Sequence, residues 1–309
     1  MRLTSFQRLA LWTTATTYFL ILVGGLVRAS GAGLGCPDWP RCFGGWIPPA
    51  SAADLPPQFD PALFNPTLMW TEYLNRLLGV TVGFLILATT ISAWRHHRRE
   101  PRILWTTIAA FLLVGVEGWL GGRVVAHGLA AWIVTAHLMV AIVIVQLLLY
   151  ATVEATTRAG SRKLPALSER ERVEGKAEGL ASAALIALTL MQAALGTQVR
   201  SGVDAALDSG VARDRVLATV GRLDFLHRDL AFIVLVGATL LTLWLLSKQS
   251  PLVRWSFVVL TLALFQIALG VFMAYGSVLP AAQVGHLTLA SLLLGAETVL
   301  WLMSRRQST

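Results

Sequence analysis

Eight blocks of mainly apolar residues, near 9–28, 71–94, 103–122, 131–152, 178–198, 225–247, 254–274 and 282–304, leave this 309-residue chain few ways to fold. Each is long enough to cross about 30 Å of hydrocarbon as an α-helix. In lipid every backbone N–H and C=O needs a partner within the chain, so long apolar spans are helical. Only 14% of residues are charged, against roughly a quarter in soluble domains. The expected fold is an all-α integral membrane protein with eight transmembrane helices.

The net charge of +8 invites a nucleic-acid partner, but the basic residues sit where topology explains them. Eight spans place both termini on one side. The connections on that side carry Arg2, Arg8, Arg95, Arg98, Arg99, Arg102, Arg158, Arg162, Lys163, Arg170, Arg172 and Lys176, with further bases at 248, 254, 305 and 306. The positive-inside rule then puts both termini in the cytoplasm of a multi-pass protein. No nucleic acid is expected. The first block begins too early for a transit peptide, and the small-residue pattern GLGC lies beyond Arg28, outside the apolar run. An uncleaved first span is expected.

The chain repeats itself. EYLNR (72–76) is echoed by DFLHR (224–228), and GWLGGRVVAHGLAAWIVTAHL (118–138) by IALGVFMAYGSVLPAAQVGHL (267–287), pairing Gly121 with Gly270 and His137 with His286. VRASG (27–31) matches VRSG (199–202), each leading toward a long outward loop, 29–70 and 199–223. A Glu or Gln stands four residues before a Gly at Glu117/Gly121, Gln192/Gly196 and Gln266/Gly270. Such glycines read first as helix-packing residues. Two pseudo-symmetric four-helix bundles are expected: an N-terminal one over 1–152, a charged cytoplasmic linker over 153–177, and a C-terminal one over 178–309.

Six histidines occur. His96 and His97 read as a solvated cytoplasmic face and His127 as a surface residue of a short outward loop. His137, His227 and His286 lie within the first turns of even-numbered spans, near the outward surface. Ionisable residues inside spans are costly and face the bundle interior for a functional reason. His227 and His286, from two helices of one bundle, are arranged to clamp an iron porphyrin. Zinc fits less well, because no Cys or carboxylate cluster accompanies the pair.

The equivalent set in the first half is His137 and Asn75, and asparagine is a poor iron ligand. Two readings stand: a decayed site, or an iron held by His137 alone with its other face open. Glu72 shares a helix face with Asn75, placed for proton delivery or for stabilising a cationic intermediate. Asp224 is its counterpart. Arg28, Arg76, Arg200 and Arg228 recur at the outer rim, as partners for porphyrin propionates or as interfacial anchors. The only cysteines, Cys36 and Cys42 in GCPDWPRC, are spaced for a structural disulfide or for a redox-active pair.

GGLVRASGAGLGCPDWPRCFGGWIPP, EYLNRLLG, LGGRVV…TAHL, FLHRDLA and GHLTLA, in this order across eight spans, resemble haem A synthase. The resemblance implies oxidation of the C8 methyl group of haem O to a formyl group, giving haem A for cytochrome c oxidase. It implies haem b held by His227 and His286 in the second half, and haem O as substrate at the first-half site with His137 as one ligand. It also implies that Glu72 is the important carboxylate and that Cys36 and Cys42 are the pair of the cysteine-containing branch, whereas Asn75 departs from the histidine expected there.

The implied partners are O2 or water, an electron donor, haem O synthase, oxidase assembly factors and membrane lipid, with a homo-oligomer as a further expectation. The implied location is the bacterial plasma membrane, with the haem sites toward the outer face. The rival is a di-haem membrane cytochrome that takes electrons from quinol without altering its haem. It leaves GCPDWPRC and Asn75 without a role. A transporter is a weaker rival, since four spans per half give halves of the same orientation.

Overall fold

Helices begin where the sequence supplies a cap, several residues before hydropathy alone would start them. In the computed structural model, which describes residues 3–160 and 169–306, Thr4 and Gln7 form a reciprocal capping box at the start of α1 (Ser5–Ala29). Asn65 accepts from Leu68 N–H at 3.2 Å ahead of Pro66, which opens α2 (Pro66–His96). Pro101 opens α3 (Pro101–Ala126). Then follow α4 (Ala131–Gly160), α5 (Glu169–Asp208), α6 (Arg222–Ser247), α7 (Val253–Tyr275) and α8 (Pro280–Arg306). All eight are long and apolar enough to cross a membrane.

Two differences from the hydropathy blocks matter. The helices α4 and α5 extend into both flanks of the charged 153–177 segment, where Ala155 and Glu154 are buried. The middle of that segment, with Arg162 and Lys163, lies outside the described residues, as does Arg2. The second outward loop is also shorter than expected, because α5 runs past VRSG to Asp208. An Arg200–Asp204 ion pair one turn apart (2.6 Å) supports the extra turns, and Val203 and Ala206 bury against Val216 and Val278.

The helices α1–α4 and α5–α8 pack as two four-helix bundles. One core gathers Val82, Ile86, Ala110, Ile144 and Leu148, the other Leu185, Leu241, Leu245, Val259, Leu293 and Leu300. The bundles meet where α8 lies against α1 and α4, and α4 against α5. This makes α8 central, with 61% of its span window buried against 11% for α7. Large apolar side chains such as Trp12, Phe84, Trp105 and Phe265 point outward, where lipid solvates them.

Candidate functional site

The site begins with a register that the two bundles share. Each of the four candidate ligand positions faces a glycine on the preceding helix. A Cβ built on Gly121, Gly196 or Gly270 would lie 3.4, 3.0 or 3.4 Å from the Cε1 of His137, His227 or His286 respectively. The fourth, on Gly24, would lie 4.0 Å from Asn75 Oδ1. The glycines are therefore packing residues of one kind: they make the groove in which an imidazole lies flat on the neighbouring helix. Gly24 keeps that groove although position 75 holds asparagine.

In the second half, His227 of α6 and His286 of α8 face each other with ring centroids 6.3 Å apart and planes inclined at 61°. Each ring lies beside the backbone of the preceding helix, at Gln192 for His227 and at Gln266 for His286, a contact that fixes the ring and leaves Nε2 as the donor for a metal. Two metal–nitrogen bonds of about 2 Å each, plus the half-width of each ring, span about 6 Å. Among the described residues no three His, Cys, Asp or Glu side chains gather as metal ligands. A zinc site would need such a gathering; a porphyrin supplies its own equatorial nitrogens, so the residues present fit a haem. Gln192, one turn before Gly196, donates to the His227 carbonyl at 2.8 Å and fixes the segment that carries the ring.

In the first half, Glu117 Oε1 lies 3.0 Å from His137 Nδ1, at ion-pair distance though not aligned as a hydrogen bond. Its Oε2 and Asn75 Oδ1 are buried without partners. A carboxylate beside a histidine orients the ring and raises its basicity toward a metal. In the second half the corresponding place is held by the neutral Gln266, and its Oε1 is also unpartnered.

The roof of this half-site is the cysteine loop. Cys36 and Cys42 form a disulfide, and both are fully buried with Phe43 and Met69. Asp38 closes the loop by accepting from Phe43 N–H at 2.6 Å and Gly44 N–H at 2.9 Å. The loop rests on two helices. Trp39 covers Gly122 of α3, where a Cβ would come within 2.8 Å of the indole. On α2, Glu72 Oε2 accepts from Cys36 N–H at 2.7 Å while Oε1 pairs with Arg76 at 2.5 Å.

Arg76 uses all its donors inside the protein. They go to Glu72, Cys36 O, Asp38 O and Arg41 O, the last two at 2.8 and 2.7 Å. A guanidinium has five N–H groups, and five acceptor contacts consume them. Arg76 thus has no N–H left for a propionate, and Glu72 is held in the roof.

At Gly35 the loop touches α2 so closely that a Cβ would overlap the Leu68 carbonyl and lie 2.8 Å from Met69 N. Backbone cannot yield as a flexible side chain does. Gly35→Ala therefore unseats the loop. After mild reduction, Cys36 and Cys42 should react with a water-soluble maleimide at least roughly tenfold faster, the equivalent of about 1.4 kcal/mol in opening. An unchanged labelling rate would show that the loop absorbs the methyl.

The remaining rim arginines pair with acids. Asp204 lies between Arg28 of α1 (2.8 Å) and Arg200 of α5 (2.6 Å), and joins the two bundles at their outer edge. Arg200 also bonds Gln283 of α8. Arg228 pairs with Asp224 at 2.5 Å, and its side chain remains 36% exposed. Sequence reasoning did not single out Asp204, Trp39 or Gly24. Asp204 sits one turn after Arg200, a helical pairing that was visible in the chain only if α5 was known to continue. Of the other histidines, His127 accepts the C-terminal position of α3 beside Arg123, and His96 is exposed. His97 is not a solvated residue as expected. It stacks on Phe6 at 4.4 Å between centroids and pairs with Glu100, because the α2–α3 turn folds back over the start of α1.

Residues 7–298 match the COX15-CtaA family, described as cytochrome oxidase assembly protein. Among curated proteins, a Heme A synthase of Rhizorhabdus wittichii is 25% identical over 92% of this chain and 89% of its own length. One of Cereibacter sphaeroides is 27% identical over 85% of this chain and 78% of its own length. A Heme A synthase of Geobacillus kaustophilus is 34% identical, over 40% of this chain and 34% of the relative.

Proposed function

The chain belongs to the COX15-CtaA family of cytochrome oxidase assembly proteins, and from that premise we propose how its two half-sites divide the work of a haem A synthase. The chain acts on haem O, and the observation that carries the division is the inequality of the ligand pairs. The second half presents two imidazoles 6.3 Å apart with planes inclined at 61°; the first presents one imidazole and an amide.

The second half holds haem b between His227 and His286. A haem so bound supplies one-electron transfer. The first half holds haem O by His137, which Glu117 orients. Asn75 leaves the opposite side of the substrate iron without an imidazole. The disulfide loop, seated by Glu72, Arg76 and Trp39, shuts bulk water from the substrate. Of the rim arginines, Arg28, Arg200 and Arg228 remain candidates for the propionate side of the two haems; Arg76 is spent on the roof. Glu72 acts there as the group that positions the roof over the substrate. The electron donor, O2 or water as oxygen source, delivery by haem O synthase and transfer to oxidase assembly factors follow from this activity. The basic residues on the side of the termini support cytoplasmic termini, which would set the haem sites toward the outer face of the bacterial plasma membrane.

The test is extraction and mass analysis of haems from cells that make haem O, with and without this protein. Haem A, or its hydroxymethyl precursor, is expected only with it. Unchanged haem O beside folded, haem-loaded protein would instead support the quinol-oxidising cytochrome. Asn75→His then probes the first half. Because Gly24 keeps the groove, the imidazole is accommodated without strain and closes the open side. Turnover should fall by roughly tenfold or more, about 1.4 kcal/mol in barrier, as the bound haem O becomes low-spin. Full turnover with a low-spin spectrum would overturn the open-side reading.

A further inference from the structure

A carboxyl group lies buried in the seam between α5 and α8, nearer the end of α8 that carries the C-terminus. Glu297 is 0% exposed. Its Oε1 accepts from Thr189 Oγ1 at 2.8 Å, and its Oε2 is buried with no partner. One turn along α5 from Thr189, on the same helix face, stands Gln192, whose Nε2 is 3.4 Å from His227 Nε2 and whose Oε1 is unpartnered. Toward the end that carries the termini the same α5 stripe continues with Ser182 and Glu178, both buried, beside Ser304 of α8. Leu185 is the one apolar side chain between the two polar groups.

Packing does not require the carboxyl or its polar neighbours, because the first half fills most of the equivalent places with hydrocarbon and keeps a hydroxyl only at Thr17, the counterpart of Thr189. At the offset that pairs His137 with His286, Leu148 stands for Glu297. At the offset that pairs Gly24 with Gly196, Leu20, Ala10 and Phe6 stand for Gln192, Ser182 and Glu178. Phe6, Ala10 and Leu148 are buried in ordinary apolar clusters. An ionisable group within a span is costly to keep and is retained for proton or ion traffic. The polar stripe belongs to the half whose two imidazoles face each other.

We propose that Glu297 is the proton-exchanging residue of the second half-site, which rests on the reading that His227 and His286 hold a haem. For each electron that a hydroquinone-class donor delivers to that centre, the Glu297 carboxylate gains one proton, drawn along the α5 stripe from the aqueous side at the termini. The O–H bond breaks again and the proton returns when the electron passes to the substrate site. Charge inside the low-dielectric bundle then stays balanced, which lowers the cost of adding the electron. Thr189 holds the carboxyl, and Gln192, one turn further along α5, holds the His227 segment. The other titratable groups around it are Tyr18 of α1, whose hydroxyl fills the space beside Gly295, Tyr150 at a similar level on α4, Glu178 of α5 and Arg254 at the far end of α7. None of these is a carboxylate at the level of Glu297.

The experiment is redox-difference infrared spectroscopy and potentiometry on the purified full chain with its haem, from pH 5 to 9. At the alkaline end of this range, where the carboxyl is ionised in the oxidised protein, the unaltered protein should show a carboxylic-acid C=O band on reduction and a midpoint that falls as pH rises, by at most about 59 mV per unit for one electron and one proton. Glu297→Gln should remove the band and flatten the slope. Thr189→Val keeps the carboxyl but removes its donor, so the band should move to higher frequency; this variant serves if Glu297→Gln does not fold. Asp60→Asn, in the first outward loop, should leave the band in place. A low-spin haem whose band and slope persist in Glu297→Gln overturns the proposal and leaves the haem reading standing. Absence of any low-spin haem overturns that reading, and the proposal with it.

Discussion

On the proposal that His227 and His286 hold haem b, His286→Ala should abolish the low-spin haem spectrum and lower haem A formation by roughly a hundredfold or more. That loss exceeds the 10–100-fold typical when only a supporting partner of a metal ligand is changed. The His286 ring lies 6.3 Å from that of His227, so its removal would leave the proposed haem with one imidazole. Among the described residues no Cys, Asp or Glu joins the pair as a third ligand. The groove beside Gly270 persists in the variant, so added imidazole should occupy it and restore the low-spin spectrum. Optical spectra and haem content per chain, with and without imidazole, check this. A variant with unaltered spectrum and haem content would remove His286 from the ligand set. His137→Ala is a different case, since it should deplete bound haem O while the second-half spectrum persists.

Arg76→Ala carries the largest expected cost in stability. It leaves the Glu72 carboxylate, whose side chain is 5% exposed, with no countercharge, and deprives the carbonyls of Cys36, Asp38 and Arg41 of their donor. Removing one partner of a buried pair typically costs about 3–5 kcal/mol. With the Arg76 side chain itself only 14% exposed, solvent screening offers little relief. The expected result is release of the 36–45 loop: a lower thermal midpoint, faster protease cleavage within the loop and loss of turnover, while the second-half haem spectrum persists.

Arg76→Lys keeps the charge but not the planar fork, so it should fall between the two. Glu72→Gln separates positioning from charge. The amide oxygen still accepts from Cys36 N–H, so a purely positioning role retains most of the activity, whereas a role in proton transfer does not. An Arg76→Ala chain with unchanged stability and cleavage would show that the disulfide alone holds the roof.

These two sites differ in how far the linear chain reveals them. The spans are legible because lipid leaves a long apolar segment no alternative to the helix, and an even number of them places both termini together. His137, His227 and His286 are legible because a titratable side chain in such a segment has few innocent explanations. The internal repeat then exposes Asn75 as a departure, since its neighbours still spell the motif.

Helix ends were less legible. Caps such as Thr4–Gln7 and Asn65–Pro66 lie outside the apolar runs, and α5 continues because Asp204 binds Arg200 and Arg28. Arg76 read as a rim cation for propionates, yet its acceptors are carbonyls some 35 to 40 positions earlier in a loop without repeats. Glu297 carries the same signal, a titratable group inside an apolar block, but was not singled out from the sequence, and its pairing with Thr189, 108 positions away, is visible only in the fold.

Hydropathy, charge bias and the repeated motif are short-range properties, written by the solvent each residue must face, and they determine that this is an eight-span helical protein with an internal repeat. Which polar groups are spent on each other and which remain free depends on segments brought together by packing. Only the folded bundle decides that Glu72 and Arg76 hold a roof, that His227 and His286 keep free nitrogens, and that one carboxyl stays half-satisfied between α5 and α8.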